Sequence, residues 1–310
     1  MIEENGNVNL SVNLGRIKLE NPIVMCSGTF SSGIEYSEFY DISILGAVTT
    51  KSFSLRSMAG NPPPRIWETA CGMLNSIGLQ NEGIDFFIKK HLPEARSLGI
   101  KIILSIFGED LNEFRKIAVK VKKIESFLTA VELNLSCPNV REGGIIFSSL
   151  PEEVEKITIS LNEILDIPLV VKLSSNSENI VESAIGAKSG GAEAISVINS
   201  VVGTAVDMET FKPRLGNVIG GLSGPAIKPI SMAKIYILSK ANILPIIGMG
   251  GICSWKDAVE FLIMGANAIG IGAANFVNYD IGEKVIKGLI NYLKEKGIDD
   301  INKIIGRAVR

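Results

Sequence analysis

Short apolar runs alternate with amphipathic stretches along the chain. Near-continuous Val- and Ile-rich runs at Ile23–Cys26, Ala47–Lys51, Lys101–Ile106, Ala130–Leu135, Pro168–Leu173, Ala194–Ile198, Pro245–Gly248 and Ala268–Ile271 predict strands buried on both faces, the pattern of a parallel sheet. Helical patterns fall between them at Ile84–Leu98, Leu111–Ile124, Pro151–Leu165, Glu178–Lys188, Ile227–Lys240 and Trp255–Met264, and a further helix is predicted over Tyr279–Ile305. Pro151 suits a first helical turn, and Glu152 and Glu153 suit the positive end of its dipole. The βαβα order predicts an α/β protein built as a closed (β/α)8 TIM barrel. Ahead of it, Val8–Asn13 and Arg16–Leu19 flank Leu14-Gly15 and read as an N-terminal β-hairpin that plugs the barrel bottom. No linker or composition break interrupts the pattern, so residues 1–310 are expected to form a single domain.

Composition narrows the function. With Lys+Arg 31 against Asp+Glu 33 the formal net charge is -2, which gives no cationic field for nucleic acid or an anionic membrane. No apolar run reaches about 18 residues and Met1–Asn9 is polar, so neither a membrane span nor a signal peptide is expected, and the expected location is cytoplasmic. Cys26, Cys71, Cys137 and Cys253 lie far apart, so no metal or cluster site is expected in this chain.

In α/β barrels the active site forms at the C-terminal strand ends, and the polar residues collect there. Ser27-Gly28-Thr29, Lys51-Ser52, Ser105, Asn134, Lys172 and Asn199-Ser200 end the first six strands; Gly248-Met249-Gly250-Gly251 and Gly270-Ile271-Gly272-Ala273 end the last two. Glycine turns at this address favour phosphate through bare backbone N–H groups, with Gly220–Gly224 as a third backbone wall. Lys51 and Lys172 are expected to pin an electron-rich ring or an anion; a Schiff-base role for Lys172 stays open. Asn75, in a loop after the second strand, joins Asn134 and Asn199 as amides suited to a heterocycle with alternating C=O and N–H groups. Cys137 lies in a polar loop, Asn134–Asn139, ahead of a Gly143-Gly144 hinge, where a thiolate serves as base or nucleophile. Cys26, Cys71 and Cys253 read as buried structural thiols, and His91 as part of an exposed helix face.

These residues carry a resemblance. Ser27-Gly28-Thr29-Phe30, Gly60-Asn61-Pro62, Gly72-Met73-Leu74-Asn75, Ile77–Asn81, Asn134–Val140, Gly143-Gly144-Ile145 and Gly220–Pro229 together resemble the class 1 dihydroorotate dehydrogenases, and within them the NAD-linked class 1B catalytic subunit. The resemblance implies a barrel binding one FMN, and Cys137 as the catalytic base that removes the C5 proton of dihydroorotate while the C6 hydride passes to the flavin. It implies FMN contacts from Ser27, Lys51, Ser52, Ser105, Asn134, Lys172, Ile198, Gly224, Gly250, Gly251, Gly272 and Ala273. Substrate contacts follow from Lys51, Asn75, Ser76, Ile77, Gly78, Leu79, Asn134, Asn199 and Ser200. Ser105 stands where the family usually has Asn, and Ser200 and Ala273 stand where it has Thr. Electrons must then leave through a partner subunit carrying FAD and a 2Fe-2S cluster, in a heterotetramer of two catalytic and two electron-transfer subunits. Alternatives are a fumarate-linked class 1A enzyme, a dihydropyrimidine dehydrogenase-like FMN barrel, a flavin-free Schiff-base lyase, and a subunit without activity.

Overall fold

The computed structural model describes residues 8–135, 150–177 and 179–310. Its centre is a closed parallel barrel whose strands, in chain order, are Ile23–Met25, Ala47–Thr49, Ile102–Ile106, Ala130–Asn134, Leu169–Lys172, Ala194–Val197, Ile246–Met249 and Ala268–Ile271. Each strand pairs with its neighbours in sequence, and the eighth pairs with the first through Ile269↔Ile23 and Ile271↔Met25. Every residue of these strands is buried, so the continuous apolar runs follow from having side chains inside the barrel and helices outside it.

The helices show the same economy. Leu111–Lys122 is capped by Asp110, whose side chain accepts from the Glu113 N–H at 2.8 Å, and buries Phe114, Ile117, Ala118 and Val121 at helical spacing. Pro151 does open its helix, Pro151–Asn162, with Glu152 and Glu153 in the first turn.

Two expected helices differ. The stretch from Ile84 is divided into Ile84–Phe86, a wide π-helical turn Phe87–His91, and Leu92–Ser97. Pro93, with no N–H to donate, falls in the first turn of the last piece, where an α-helical bond has to be given up. The tail is shorter than expected: its helix, Ile281–Glu295, is followed by Gly297 at φ 63°, a left-handed stop, and then a single 3-10 turn at Ile301–Lys303.

The N-terminal hairpin pairs Val12–Leu14 with Ile17–Leu19, burying Val12, Leu14, Ile17 and Leu19 and exposing Asn13 and Lys18. Arg16 bonds to Glu193 and to the Asp166 carbonyl, residues just ahead of the sixth and fifth barrel strands, so the hairpin closes the N-terminal end of the barrel. At the opposite end, two long βα connections build a sheet that the sequence pattern did not predict. Its order is Val201–Gly203, Gly220–Ser223, Gly72–Asn75, Ile66–Thr69, all antiparallel. Among the described residues, no helix is long and apolar enough to cross a membrane.

Candidate active site

A cavity of about 490 Å³ lies at the C-terminal end of the barrel, walled on one side by strand ends and on the other by the four-stranded sheet. That volume is in the range of small-molecule and cofactor sites. Ser27, Lys51, Ser52, Asn134, Lys172 and Ile198 reach it from the barrel, and Gly250, Gly251, Gly272 and Ala273 from the two glycine turns. The residues expected to hold substrate, Asn75 to Leu79 with Asn199 and Ser200, line it as well, as does Gly224.

Four sequence expectations are corrected here. Ser105 is not on the wall: it is fully buried one hydrogen bond below Ser52, because its inward-facing position on the third strand lies a layer deeper than the mouth. Asn75 is not in a loop but ends a strand, where its amide donates to the Gly221 carbonyl at 3.2 Å. His91 is partly buried, tilted against the rings of Phe53 and Phe86 and bonded to Glu82 at 3.0 Å. Cys71 is exposed in the turn between the two strands of the outer hairpin rather than buried. Cys137 and the Arg141–Ile145 stretch lie outside the described residues.

The glycine turns have steric reasons. Gly250 and Gly251 adopt φ 121° and 77°, and a Cβ on Gly251 would meet the Lys228 backbone N and Cβ at 2.7 Å. The turn therefore packs directly on the start of the helix Lys228–Ala241, whose N-terminal dipole favours anions. The Lys228 ammonium is committed elsewhere, to Asp257 at 2.5 Å and Glu260 at 2.8 Å, so backbone rather than a lysine faces the cavity at this corner. Gly221 lets the outer sheet pack on the chain leaving the sixth barrel strand, since a Cβ there would collide with the Ser200 side chain, and a Cβ on Gly220 would meet the Asn75 carbonyl at 2.5 Å.

The electrostatics centre on Lys172. Its side chain is 5% exposed, and among the described residues its ammonium has neither an ion pair nor a hydrogen bond. Burying a charge without a partner costs several kcal/mol, so the site is built for an electron-rich group inside the cavity. Cys26, on the cavity floor, lies 3.8 Å from the Met249 sulfur. Burial pushes its thiol up to about 12, opposed by the Lys172 charge and assisted by Glu132, so Cys26 is an inert thiol at neutral pH.

Sequence reasoning missed Glu132. It is 1% exposed on the fourth strand and accepts from Ser105 Oγ at 3.0 Å and from Ser196 Oγ at 2.9 Å. The signal was a single acid between the apolar Val131 and Leu133 in the middle of the strand Ala130–Asn134. Among the described residues no group of three or more His, Cys, Asp or Glu side chains could hold a metal ion.

The buried ammonium and the backbone anion corner fit FMN, which carries an electron-rich ring and a phosphate. Comparison with known proteins agrees with that chemistry. The dihydroorotate dehydrogenase family profile matches residues 9–293. A Thermoanaerobacter sp. (strain X514) protein named dihydroorotate dehydrogenase B (NAD(+)), catalytic subunit, is 46% identical over 300 residues, covering 96% of this chain and 98% of its own. Proteins of the same name from Caldicellulosiruptor bescii and Geotalea uraniireducens (strain Rf4) are 45% and 42% identical; these alignments cover 96% and 98% of this chain and 99% of each relative. The chain belongs to the dihydroorotate dehydrogenase family.

Proposed function

We propose that this chain is the catalytic subunit of an NAD-linked dihydroorotate dehydrogenase, which oxidises dihydroorotate to orotate in the synthesis of UMP. The observation that carries the reading is the buried Lys172 ammonium, unpaired among the described residues, facing a cavity whose far corner is a glycine-lined helix N-terminus. The relatives' NAD(+) designation favours this over a fumarate-linked enzyme. The whole chain works as one FMN-binding barrel in the reducing cytoplasm, with its cysteines as thiols.

Each residue then has a task. Gly250, Gly251, Gly272 and Ala273 hold the FMN phosphate through backbone N–H groups, with Gly224 closing the other side. Ser27, Ser52, Asn134 and Ile198 would seat the ring, and Lys172 would set a positive charge on the wall against it, suited to stabilising negative charge. When bound, FMN supplies the acceptor for the C6 hydride of dihydroorotate. Asn75, Ser76, Ile77, Gly78, Leu79, Asn199 and Ser200 grip the substrate ring by donor–acceptor matching, and Lys51 meets both molecules. Cys137 Sγ, as thiolate, takes the C5 proton.

The electrons leave through a partner subunit carrying FAD and a 2Fe-2S cluster, two copies of each subunit forming the complex. The test is NADH formation from dihydroorotate. The FMN-loaded chain alone is expected to make none at a useful rate, and addition of the partner is expected to start turnover. Rapid NADH formation without the partner would refute the NAD-linked class B assignment.

A further inference from the structure

Five buried side chains form one hydrogen-bonded line beneath the cavity. Asn134 Nδ2 donates to Ser52 Oγ at 2.9 Å, Ser52 Oγ and Ser105 Oγ are 2.9 Å apart, Ser105 Oγ donates to Glu132 Oε1 at 3.0 Å, and Ser196 Oγ donates to Glu132 Oε2 at 2.9 Å. None of the five is more than 5% exposed.

The direction of the line follows from counting protons. A carboxylate accepts only, and a serine hydroxyl has one proton. Ser105 gives its proton to Glu132, so between Ser52 and Ser105 it is Ser52 that donates. Ser52 then has only lone pairs to offer Asn134, which must present its NH2 to Ser52 and turn its carbonyl oxygen the other way. Only Ser52 and Asn134 line the cavity; Ser105, Glu132 and Ser196 lie below it.

We propose that Glu132 is a positioning residue: through Ser105 and Ser52 it fixes the hydrogen-bond polarity of Asn134, so that the wall presents acceptors to the N–H of an imide-type ring edge. That edge, C=O, N–H, C=O, is shared by flavins and by orotate, and the inference rests on the reading of the cavity as a site for both. Without the anchor, Ser52 is free to donate, the bond that holds the Asn134 NH2 on Ser52 is lost, and the wall no longer matches the ligand's N–H. A misplaced donor at a buried contact weakens binding tenfold or more.

The experiment compares Ser105→Ala with Ser196→Ala. Both residues are fully buried and both donate to Glu132, so both variants lose a similar bond and fall similarly in thermal midpoint. Only Ser105 lies between Glu132 and Asn134. FMN is titrated calorimetrically into the flavin-free chain, and orotate into the FMN-loaded chain; the two arms separate the ring that is read. Ser105→Ala is expected to weaken one of the two by at least tenfold, with Ser196→Ala within twofold in both. Ser105→Cys, of similar size but a weak donor, shifts in the same direction as Ser105→Ala and keeps the test open should the alanine variant fail to fold. Equal affinities for the Ser105 and Ser196 variants would overturn the proposal. Failure of the unmodified chain to bind FMN or orotate would instead overturn the function on which it rests.

Discussion

Gly251→Ala separates the demands of the backbone from those of the ligand. Gly251 sits at φ 77°, where an L side chain costs about 1–2 kcal/mol. The added Cβ would lie 2.7 Å from the Lys228 backbone N, about 0.7 Å short of ordinary contact at 3.4 Å. A helix-start backbone cannot swing aside as a side chain tip can, and overpacking of this kind costs about 1–3 kcal/mol. The combined loss is about 2–5 kcal/mol, or a fall of roughly 4–10 °C in the midpoint of the flavin-free chain at about 2 °C per kcal/mol. The turn can relieve the clash only by moving away from the helix, which displaces the N–H groups proposed to hold phosphate. FMN affinity should therefore fall at least tenfold, equivalent to about 1.4 kcal/mol. Gly297→Ala is the control: its φ is 63°, but nothing lies within 4 Å of the added Cβ and the residue is remote from the cavity. It should lose only the conformational part of the stability and bind FMN normally. Scanning calorimetry and FMN titration on both variants check this. Equal FMN affinity in Gly251→Ala and the unmodified chain would refute the assignment of this turn to phosphate.

Other perturbations probe other groups. Cys137→Ala should retain FMN and orotate yet slow single-turnover flavin reduction by about two to four orders of magnitude, the usual size of a lost general base. Lys172→Met should weaken FMN retention or alter the flavin spectrum; a borohydride-trapped adduct at Lys172 with a carbonyl substrate would contradict its assigned role. Because burial raises the Cys26 thiol from 9.0 to about 12, the folded chain keeps that proton while the unfolded chain loses it. The resulting stability is present below pH 9 and is lost as pH rises toward 12, so between pH 9 and 11 Cys26→Ala should lose urea resistance less steeply than the unmodified chain.

How much of this was legible in the chain depends on how local the cause is. The barrel strands were readable because a strand covered on both faces leaves a continuous apolar run, and Ala268–Ile271 appears in the structure with the bounds its sequence predicts. The outer sheet was not, because its strands are three or four residues of mixed or glycine-rich sequence whose pairing, such as Gly221↔Asn75, spans distant parts of the chain. The glycines at 220 and 221 were visible as a wall, but the close approach of Gly221 to Ser200 and of Gly220 to the Asn75 carbonyl was not. Strand ends pointed to the cavity, yet the pattern could not give depth: Ser52 lies three residues past the second strand and lines the cavity, whereas Ser105 lies inside the third strand and is buried beneath it. Glu132 shows the complementary failure, since attention to strand ends passes over a carboxylate in a strand's middle.

The central claim is that the cavity at the C-terminal end of this barrel holds FMN and oxidises dihydroorotate. Anaerobic addition of dihydroorotate to the FMN-loaded chain, followed by the flavin absorbance in a stopped-flow cell, tests it most directly. Rapid bleaching of the flavin with one orotate formed per FMN is the predicted result. A flavin that stays oxidised, or a purified chain that binds no flavin, would contradict it.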